Sequence, residues 1–238
     1  MIPKIFSVLT TDGWVSIKQL CGTETLYTMT SDMKYLTTSE FDSIVESYET
    51  VVKMKNRNTN VRTYTTMNSN VTLSPKEDFD SCSSSPMSNV YRNYARTPMY
   101  FLSCCPNMML DYDLMFNSDI RKGAKERNTG RKYQTLSKSL SREYLLNWTR
   151  EHGGLFALDD KMISELQIIA LRAGYTSSVN RESPLGLKLE LVDTNQRITD
   201  IVPLNSKIPL YECVTFMYNN NELNVICRTQ NGHVFITN

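Results

Sequence analysis

The stretch LNVICRTQNGHVFITN at residues 223–238 predicts a β-hairpin. Two runs rich in β-branched and aromatic residues flank Asn231-Gly232, and Asn-Gly favours a two-residue turn in which both residues have positive φ. The second strand leads to Asn238, whose side-chain amide can attack its own backbone carbonyl and cut the chain behind it. Asn238 is therefore a candidate reactive group, and the alternative is an ordinary asparagine with no chemical role.

The bulk composition is that of an ordinary globular protein. The 238 residues are 40% hydrophobic and 21% charged, and the formal net charge is +1. A charge near zero argues against a protein that binds nucleic acid through a strongly basic surface overall. The apolar runs are far shorter than the roughly 20 residues that a membrane helix needs, and no secretory leader opens the sequence. We therefore expect a cytoplasmic protein with no membrane partner.

The cysteines and histidines do not form the pattern of a metal site. The six cysteines contain no C-x-x-C pair and have no nearby histidines; they are Cys21, Cys82, Cys104, Cys105, Cys213 and Cys227. The two histidines, His152 and His233, are too few for most metal or triad chemistry, and His233 beside the predicted turn is expected to be exposed. We expect reduced thiols, no metal and no cofactor.

Residues 1–79 form a first, β-rich zone. Phe6–Thr11 and Trp14–Ile17 flank Asp12-Gly13 and predict a hairpin of the same kind as the terminal one. Residues 61–66 and 71–73 predict a third hairpin. Its second strand is expected to end at Pro75, because proline has no N–H to donate to the ladder.

Residues 80–188 form a second zone that is more helical. Residues 80–85 are rich in serine and indicate a loop, and residues 119–150 are basic, with nine Lys/Arg against three Asp/Glu. One helix is predicted from Ser141 to a stop at Gly153-Gly154. A second is predicted from Asp159 to Gly174, because the apolar positions 162, 163, 166, 169 and 170 follow a 3.6-residue period.

Residues 189–238 return to β character, with strands predicted at 187–191, at 214–217 and in the terminal hairpin. The simplest interpretation is one β domain, made of residues 1–79 and 189–238, that is interrupted by an insert at residues 80–188.

Several of these motifs resemble those of inteins, the protein-splicing elements with the Hedgehog/intein (Hint) fold. Residues 8–17 (VLTTDGWVSI) resemble the first intein block, residues 70–77 (NVTLSPKE) the second, and residues 213–216 with the terminal hairpin the last two. The resemblance implies a mainly β, horseshoe-shaped Hint splicing domain interrupted by an α+β insert similar to a LAGLIDADG homing endonuclease.

The resemblance implies an autocatalytic reaction in which the chain excises itself and ligates its flanking segments, the exteins. The steps are an acyl shift at residue 1, transfer to a downstream nucleophile and cyclisation of Asn238. The resemblance assigns helper positions to Ser74, Glu77, Cys213 and Thr237. Glu77 and Thr237 stand where the family has histidines, and Ser74 stands where it has threonine.

Met1 stands where the family has a nucleophilic Cys or Ser, and its thioether cannot perform an acyl shift. Three explanations stay open: an initiator Met on an engineered or excised form, a separate N-terminal piece as in split inteins, and natural decay. The implied partners are flanking extein segments in cis or a complementary intein fragment. We expect a competent C-terminal half-reaction and an upstream half-reaction that this version cannot perform.

Residues 145–153 (LLNWTREHG) resemble the LAGLIDADG motif, in which a final carboxylate binds a catalytic metal. That position is His152 here, and Glu151 lies one residue early, which is about 100° away around a helix. The first copy of the motif is not recognisable, although Asp111 and Asp113 lie in its region. Endonuclease activity is therefore expected to be lost, while the basic residues at 121–150 leave weak DNA binding open. The alternatives to splicing are an active DNA endonuclease and a non-catalytic, β-rich viral protein.

Overall fold

The computed structural model describes residues 2–48, 50–56, 62–74, 83–101, 108–110, 136–192, 196–207, 209–215 and 222–237. Within these ranges the protein is mainly β, as the sequence predicts. Most of the basic segment at 119–150 lies outside them, as do Met1, Glu77, Asp111, Asp113 and Asn238.

The described strands and helices fall into four sheets and three α-helices. In chain order the strands are β1 (Ile2–Pro3), β2 (Ser7–Thr10), β3 (Gly13–Ser16), β4 (Leu26–Thr30), β5 (Tyr35–Ser39), β6 (Phe41–Ser47), β7 (Thr50–Asn56), β8 (Arg62–Thr66), β9 (Asn70–Ser74), β10 (Ser83–Pro86), β11 (Tyr100–Phe101), β12 (Met109–Leu110), β13 (Phe156–Ala157), β14 (Thr176–Asn180), β15 (Leu187–Val192), β16 (Gln196–Lys207), β17 (Leu210–Thr215), β18 (Leu223–Arg228) and β19 (Val234–Thr237). The helices are α1 (Met87–Asn93), α2 (Lys138–His152) and α3 (Asp160–Arg172), and a short 3-10 helix spans Ile17–Gln19.

The opening and terminal hairpins lie side by side in one seven-stranded sheet. Its order is β12-β5-β4-β18-β2-β3, and β19 pairs with β18. Strand β18 therefore forms antiparallel ladders with β19, β4 and β2. A second sheet of three strands, in the order β1-β17-β6, brings the first described strand beside β17.

Both predicted hairpins are present, but neither turn falls on the predicted residue pair, Asn231-Gly232 or Asp12-Gly13. In the terminal hairpin Gly232 alone has positive φ (+80°), and its N–H donates to the Thr229 carbonyl at 3.0 Å. The Thr229 N–H donates to the His233 carbonyl at 2.9 Å, so three residues form the loop. Such a loop needs one left-handed residue after an ordinary turn, and glycine supplies it. In the opening hairpin Thr10 pairs with Gly13, so the loop residues are 11 and 12.

The predicted third hairpin is wrong. Strand β8 pairs with β7, while β9 pairs with β10 and β11 on the far side of a six-stranded sheet ordered β10-β9-β11-β16-β7-β8. The predicted loop at 80–85 is corrected at 83–85, which pair with β9, while residues 80–82 lie outside the described residues. Strand partners depend on which edges are available in three dimensions, and local sequence carries little of that information.

The two predicted helices are confirmed as α2 and α3. Helix α2 begins three residues earlier than predicted, after the N-cap Ser137, and ends at Gly153 with φ of +70°. Helix α3 follows the N-cap Asp159, whose carboxylate accepts from the Met162 N–H at 2.7 Å. Both helices pack on a three-stranded sheet ordered β13-β15-β14. We call residues 136–192 the α+β unit.

The α+β unit is smaller than the predicted insert of residues 80–188 at one end and longer at the other. Strands β10 and β11 belong to the six-stranded sheet, and β12 pairs with β5 in the seven-stranded sheet. At the other end, β15 continues past 188 to Val192 as the central strand of the small sheet. The boundary at 188/189 therefore falls inside a strand, and β character alone did not reveal to which sheet that strand belongs.

Four clusters of buried side chains fill the fold. The junction core joins β1, β2, β17, β18 and β19, and the helix-facing core lies between the seven-stranded sheet and α3. A third core lies inside the α+β unit, and a fourth lies under α1. The junction core comprises Ile2, Phe6, Val8, Ile17, Leu20, Leu26, Phe41, Cys213, Val225, Cys227 and Phe235. The helix-facing core comprises Leu9, Tyr27, Met29, Met33, Leu36, Met108, Leu110, Ile168, Leu171, Ile226 and Val234.

Two neighbouring leucines test the rotation of α2 about its axis. Leu145 is 4% exposed and lies in the core of the α+β unit, whereas Leu146 is 57% exposed. We expect Leu145→Ala to lower the free energy of unfolding by about 2–5 kcal/mol. Leu146→Ala is the matched control and should change it by less than about 0.5 kcal/mol. Urea unfolding measures both, and equal losses for the two variants would contradict this orientation of the helix.

Candidate functional site

The first described strand and the last two strands meet at the junction core. Ile2 is 1% exposed and pairs directly with Tyr211 of β17. The antiparallel register directs the beginning of β1 toward Cys213, two residues further along β17. Ile2, Cys213 and Phe235 of β19 are all members of this core. Strands from both ends of the described sequence are therefore held within one packed cluster.

The face of the terminal hairpin that enters this core is set by strand alternation. Cys227 pairs with Phe235, and Val225 pairs with Thr237. Directly opposed residues share a face of a sheet, as do residues two apart on a strand. Thr237 therefore lies on the face of the two core residues Phe235 and Val225, and its side chain is half-buried. The residue after it, Asn238, lies outside the described residues.

Cys213 and Cys227 are buried thiols within the junction core. Burial raises the pKa of the Cys213 thiol to about 12 and raises that of Cys227 well above its ordinary value. Both groups are therefore neutral at physiological pH, since the thiolate form is disfavoured in an apolar environment. Cys213 cannot act as a thiolate base there. It packs as a small apolar residue that keeps a weak S–H donor.

Ser74 is fully buried at the end of β9, beside Tyr100 of β11. Its neighbour Leu73 belongs to the core under α1. Because successive strand residues point to opposite faces, the Ser74 side chain lies on the other face of that sheet. Ser74 thus occupies the six-stranded sheet, whereas Cys213 and Thr237 lie beside the junction core. Glu77 lies outside the described residues, as does Met1.

His233 is buried, which corrects the expectation of an exposed histidine. Its exposure is 5%, and burial lowers its pKa to about 4, so the ring is neutral at physiological pH. Its Nδ1 has no hydrogen-bond partner among the described residues. The adjacent Asn-Gly turn favoured exposure, and the sequence carries no signal that Gly232 and His233 are buried while Asn231 is exposed.

Distance separates His233 from the residue that precedes Asn238. Thr237 is four residues after His233, a span of roughly 13 Å at the rise of an extended strand. A general base must lie within hydrogen-bond reach of the proton that it removes. His233 therefore does not fit the position of the missing penultimate histidine.

The region that resembles an endonuclease carries few of the groups that metal-dependent DNA cleavage requires. Glu151 and His152 are both exposed at the end of α2, with a 4.0 Å distance between Oε2 and Nε2. On the solvent face of the small sheet Lys188 Nζ lies 3.7 Å from Glu190 Oε1, so these two charges offset each other. Within the described ranges no group of three or more His, Cys, Asp or Glu side chains is arranged to hold a metal ion.

Among the helices of the described residues, none combines the length and the apolar character that crossing a membrane requires. No protein-family model matches the sequence, and no curated protein matches it.

The burial of His233 predicts a pH dependence of stability. The folded state holds the pKa of His233 near 4, whereas an unfolded chain has a value near 6.5, so between these values the unfolded state binds more protons. Stability is therefore complete above pH 6.5 and is lost as the pH falls, by up to about 3 kcal/mol at pH 4.

Urea unfolding between pH 4 and 7 measures this dependence, and His233→Leu should flatten the profile in that range. The exposed His152 offers the matched control, since His152→Gln should leave the slope unchanged. An unchanged dependence of stability on pH in His233→Leu would contradict its assignment to His233.

The burial of the thiols predicts selective alkylation. Cys21 is exposed, whereas Cys213 and Cys227 are buried. At pH 8 iodoacetamide should modify Cys21 within minutes and should modify Cys213 and Cys227 only after unfolding. Peptide mass mapping identifies the modified residues, and Cys21→Ser should remove the rapid modification among these three. Rapid modification of Cys213 in the folded protein would contradict the burial of its thiol.

Proposed function

We propose that the chain is a protein-splicing element whose competent step is cleavage at Asn238. The observation that supports this proposal is the junction core, in which Ile2, Cys213 and Phe235 pack together. Splicing requires that the two scissile bonds, one before residue 1 and one after residue 238, be held close together. Strands that lead to both positions share this core, so the arrangement favours intramolecular chemistry.

The proposed step is a cyclisation that needs no cofactor. The side-chain amide nitrogen of Asn238 attacks its own backbone carbonyl carbon, forming a new C–N bond within a five-membered succinimide ring. The peptide bond to the following residue breaks, and that residue leaves as a free amine, taking up a proton. Holding the amide nitrogen and the carbonyl carbon in a reactive orientation accelerates such a step, with effective molarities on the order of 10⁵ M.

The residues beside the junction core contribute to positioning more than to proton transfer. Strand β19 pairs with β18 up to Thr237, which fixes the backbone that enters the reacting residue. The Thr237 hydroxyl is a hydrogen-bond donor but does not exchange protons near neutral pH as a histidine does. The Cys213 thiol is neutral, because burial raises its pKa to about 12. We therefore expect cyclisation that is slower than in elements that carry the family histidines.

The upstream half-reaction requires a group that this chain lacks. An acyl shift needs a hydroxyl or thiol at residue 1, where Met1 has a thioether. A serine at that position, or a complementary fragment that supplies its own nucleophile, would restore the chemistry. The resemblance assigns Ser74 and Glu77 to the upstream bond, but Ser74 is buried in the six-stranded sheet and is not a member of the junction core, so we assign it no step; flanking segments are the proposed partners. We do not propose DNA cleavage, because His152 stands where the LAGLIDADG motif carries its metal-binding carboxylate.

A fusion protein tests the proposal. Met1→Ser is placed between short flanking peptides, with Ser directly after Asn238. We expect release of the downstream peptide and a succinimide mass on the chain, followed by a ligated product if the upstream step is restored. The matched control is Asn238→Ala, which should abolish downstream release.

Intact-mass measurement over hours follows each product. Release of the downstream peptide without ligation would limit the proposal to C-terminal cleavage. The splicing proposal is wrong if no downstream peptide is released, or if Asn238→Ala releases it at the same rate.

A further inference from the structure

The tip of the terminal hairpin is bound by helix α3. Gln167 of α3 is 1% exposed, and its Nε2 donates to the Gly232 carbonyl at 2.6 Å. The same side chain accepts through Oε1 from Nη1 of Arg228 at 3.1 Å. Both ends of one buried amide are thus engaged with the hairpin, one at its turn and one at the end of β18. A buried amide that is satisfied at both ends specifies one relative position of the two elements.

Arg228 connects three separate elements. Its Nη1 also donates to Ser164 Oγ of α3 at 2.8 Å. Its guanidinium carbon lies 4.7 Å from the ring centre of Trp14, on β3 of the opening hairpin. A planar guanidinium can stack on an aromatic ring while its edge donates hydrogen bonds, a combination that the point charge of lysine lacks. One side chain therefore contacts the opening hairpin, the terminal hairpin and the α+β unit.

The turn also approaches β14 closely, so the hairpin tip lies against the small sheet as well as against α3. Gly232 has φ of +80°, and a Cβ placed there would lie 2.6 Å from Cγ2 of Val179 and 2.8 Å from its Cβ. Val179 is the fourth of the five residues of β14, so little space remains between the hairpin tip and the small sheet. Glycine meets both demands, since it accepts the left-handed conformation and has no side chain to collide.

We infer that Arg228 is a positioning residue that joins the opening and terminal hairpins to helix α3, so that the α+β unit is an integral part of the splicing domain. The unit thereby acts as an intramolecular clamp on the two hairpins that flank the junction core. Its consequence for the rate at Asn238 rests on the proposed function, whereas the clamp itself does not. Removing residues 136–192 would take from Arg228 its hydrogen-bond acceptors Ser164 and Gln167.

The charge state of Arg228 agrees with this role. Burial lowers its pKa to about 10, so the guanidinium remains protonated at physiological pH. A partly buried cation needs hydrogen-bond acceptors, and Ser164 and Gln167 supply them.

A fluorescence experiment tests the clamp without any reference to splicing. Trp14 and Trp148 are the two tryptophans, so Trp148→Phe leaves Trp14 as the single reporter. In that background Arg228→Met should shift the Trp14 emission, and Arg228→Lys should give an intermediate shift. The matched control is Arg150→Met, which removes an exposed arginine near the end of α2 in the same α+β unit. That control should leave the emission unchanged.

A double-mutant cycle between Arg228→Met and Trp14→Leu measures the coupling across the clamp. We expect the two changes to be non-additive by about five- to tenfold in the unfolding equilibrium constant. If Arg228→Met proves too unstable to fold, Arg228→Lys and Gln167→Leu replace it as the variants that weaken the clamp. Additive effects together with an unshifted Trp14 emission would overturn the inference.

The rate of downstream release in the fusion protein then separates the clamp from the proposed function. Under conditions where each variant is fully folded, Arg228→Met should slow release at least tenfold, Arg228→Lys should recover part of the rate, and Arg150→Met should match the parent. Unchanged release in Arg228→Met would overturn the positioning role. If the parent itself releases no peptide, the proposed function fails, and the emission shift and the cycle alone decide whether the clamp exists.

Discussion

The terminal hairpin is buried on both faces, and the rest of the structure is arranged around that constraint. Val225, Cys227 and Phe235 face the junction core, while Ile226 and Val234 face the core under α3. Removing both faces from water is favourable only if each face meets a packed partner. The three-stranded sheet that contains β17 and β1 lies on one side, and the α+β unit covers the other. A hairpin held in this way has little freedom to shift its register, since a slip of one residue would exchange the two faces.

That constraint also governs the chemistry available near Asn238. The same burial that fixes β19 keeps the thiols of Cys213 and Cys227 protonated and the His233 ring neutral. The described groups around the last strand therefore offer orientation and a dry environment, and they offer little acid–base capacity near neutral pH. A cyclisation that depends on geometry suits such surroundings, because the nucleophile and the carbonyl belong to one residue. An acyl shift at residue 1 needs a nucleophile that burial cannot replace.

The contacts of the α+β unit show that it packs against the rest of the fold. As a sequence it resembles a self-contained insert with a weakened endonuclease motif. In the fold, helix α3 contributes Ile168 and Leu171 to the helix-facing core and Gln167 to the hairpin tip. A helix shared between two cores is difficult to remove without exposing the apolar surface of both. The α+β unit therefore supports the terminal hairpin, and Arg228 is the residue at which the two are joined.

The sequence by itself determined the features that depend on neighbouring residues. Asn231-Gly232 predicts the terminal hairpin, Asp159 and Gly153 mark helix boundaries, and the apolar period of α3 identifies its buried face, because turns, caps and amphipathic helices are local interactions. Only the tertiary structure decided that β8 pairs with β7, that β15 belongs to the α+β unit and that His233 is covered. Strand pairing and burial depend on which distant edge or surface arrives opposite a segment. That choice is made by the packing of the whole chain, so no short window of sequence contains it.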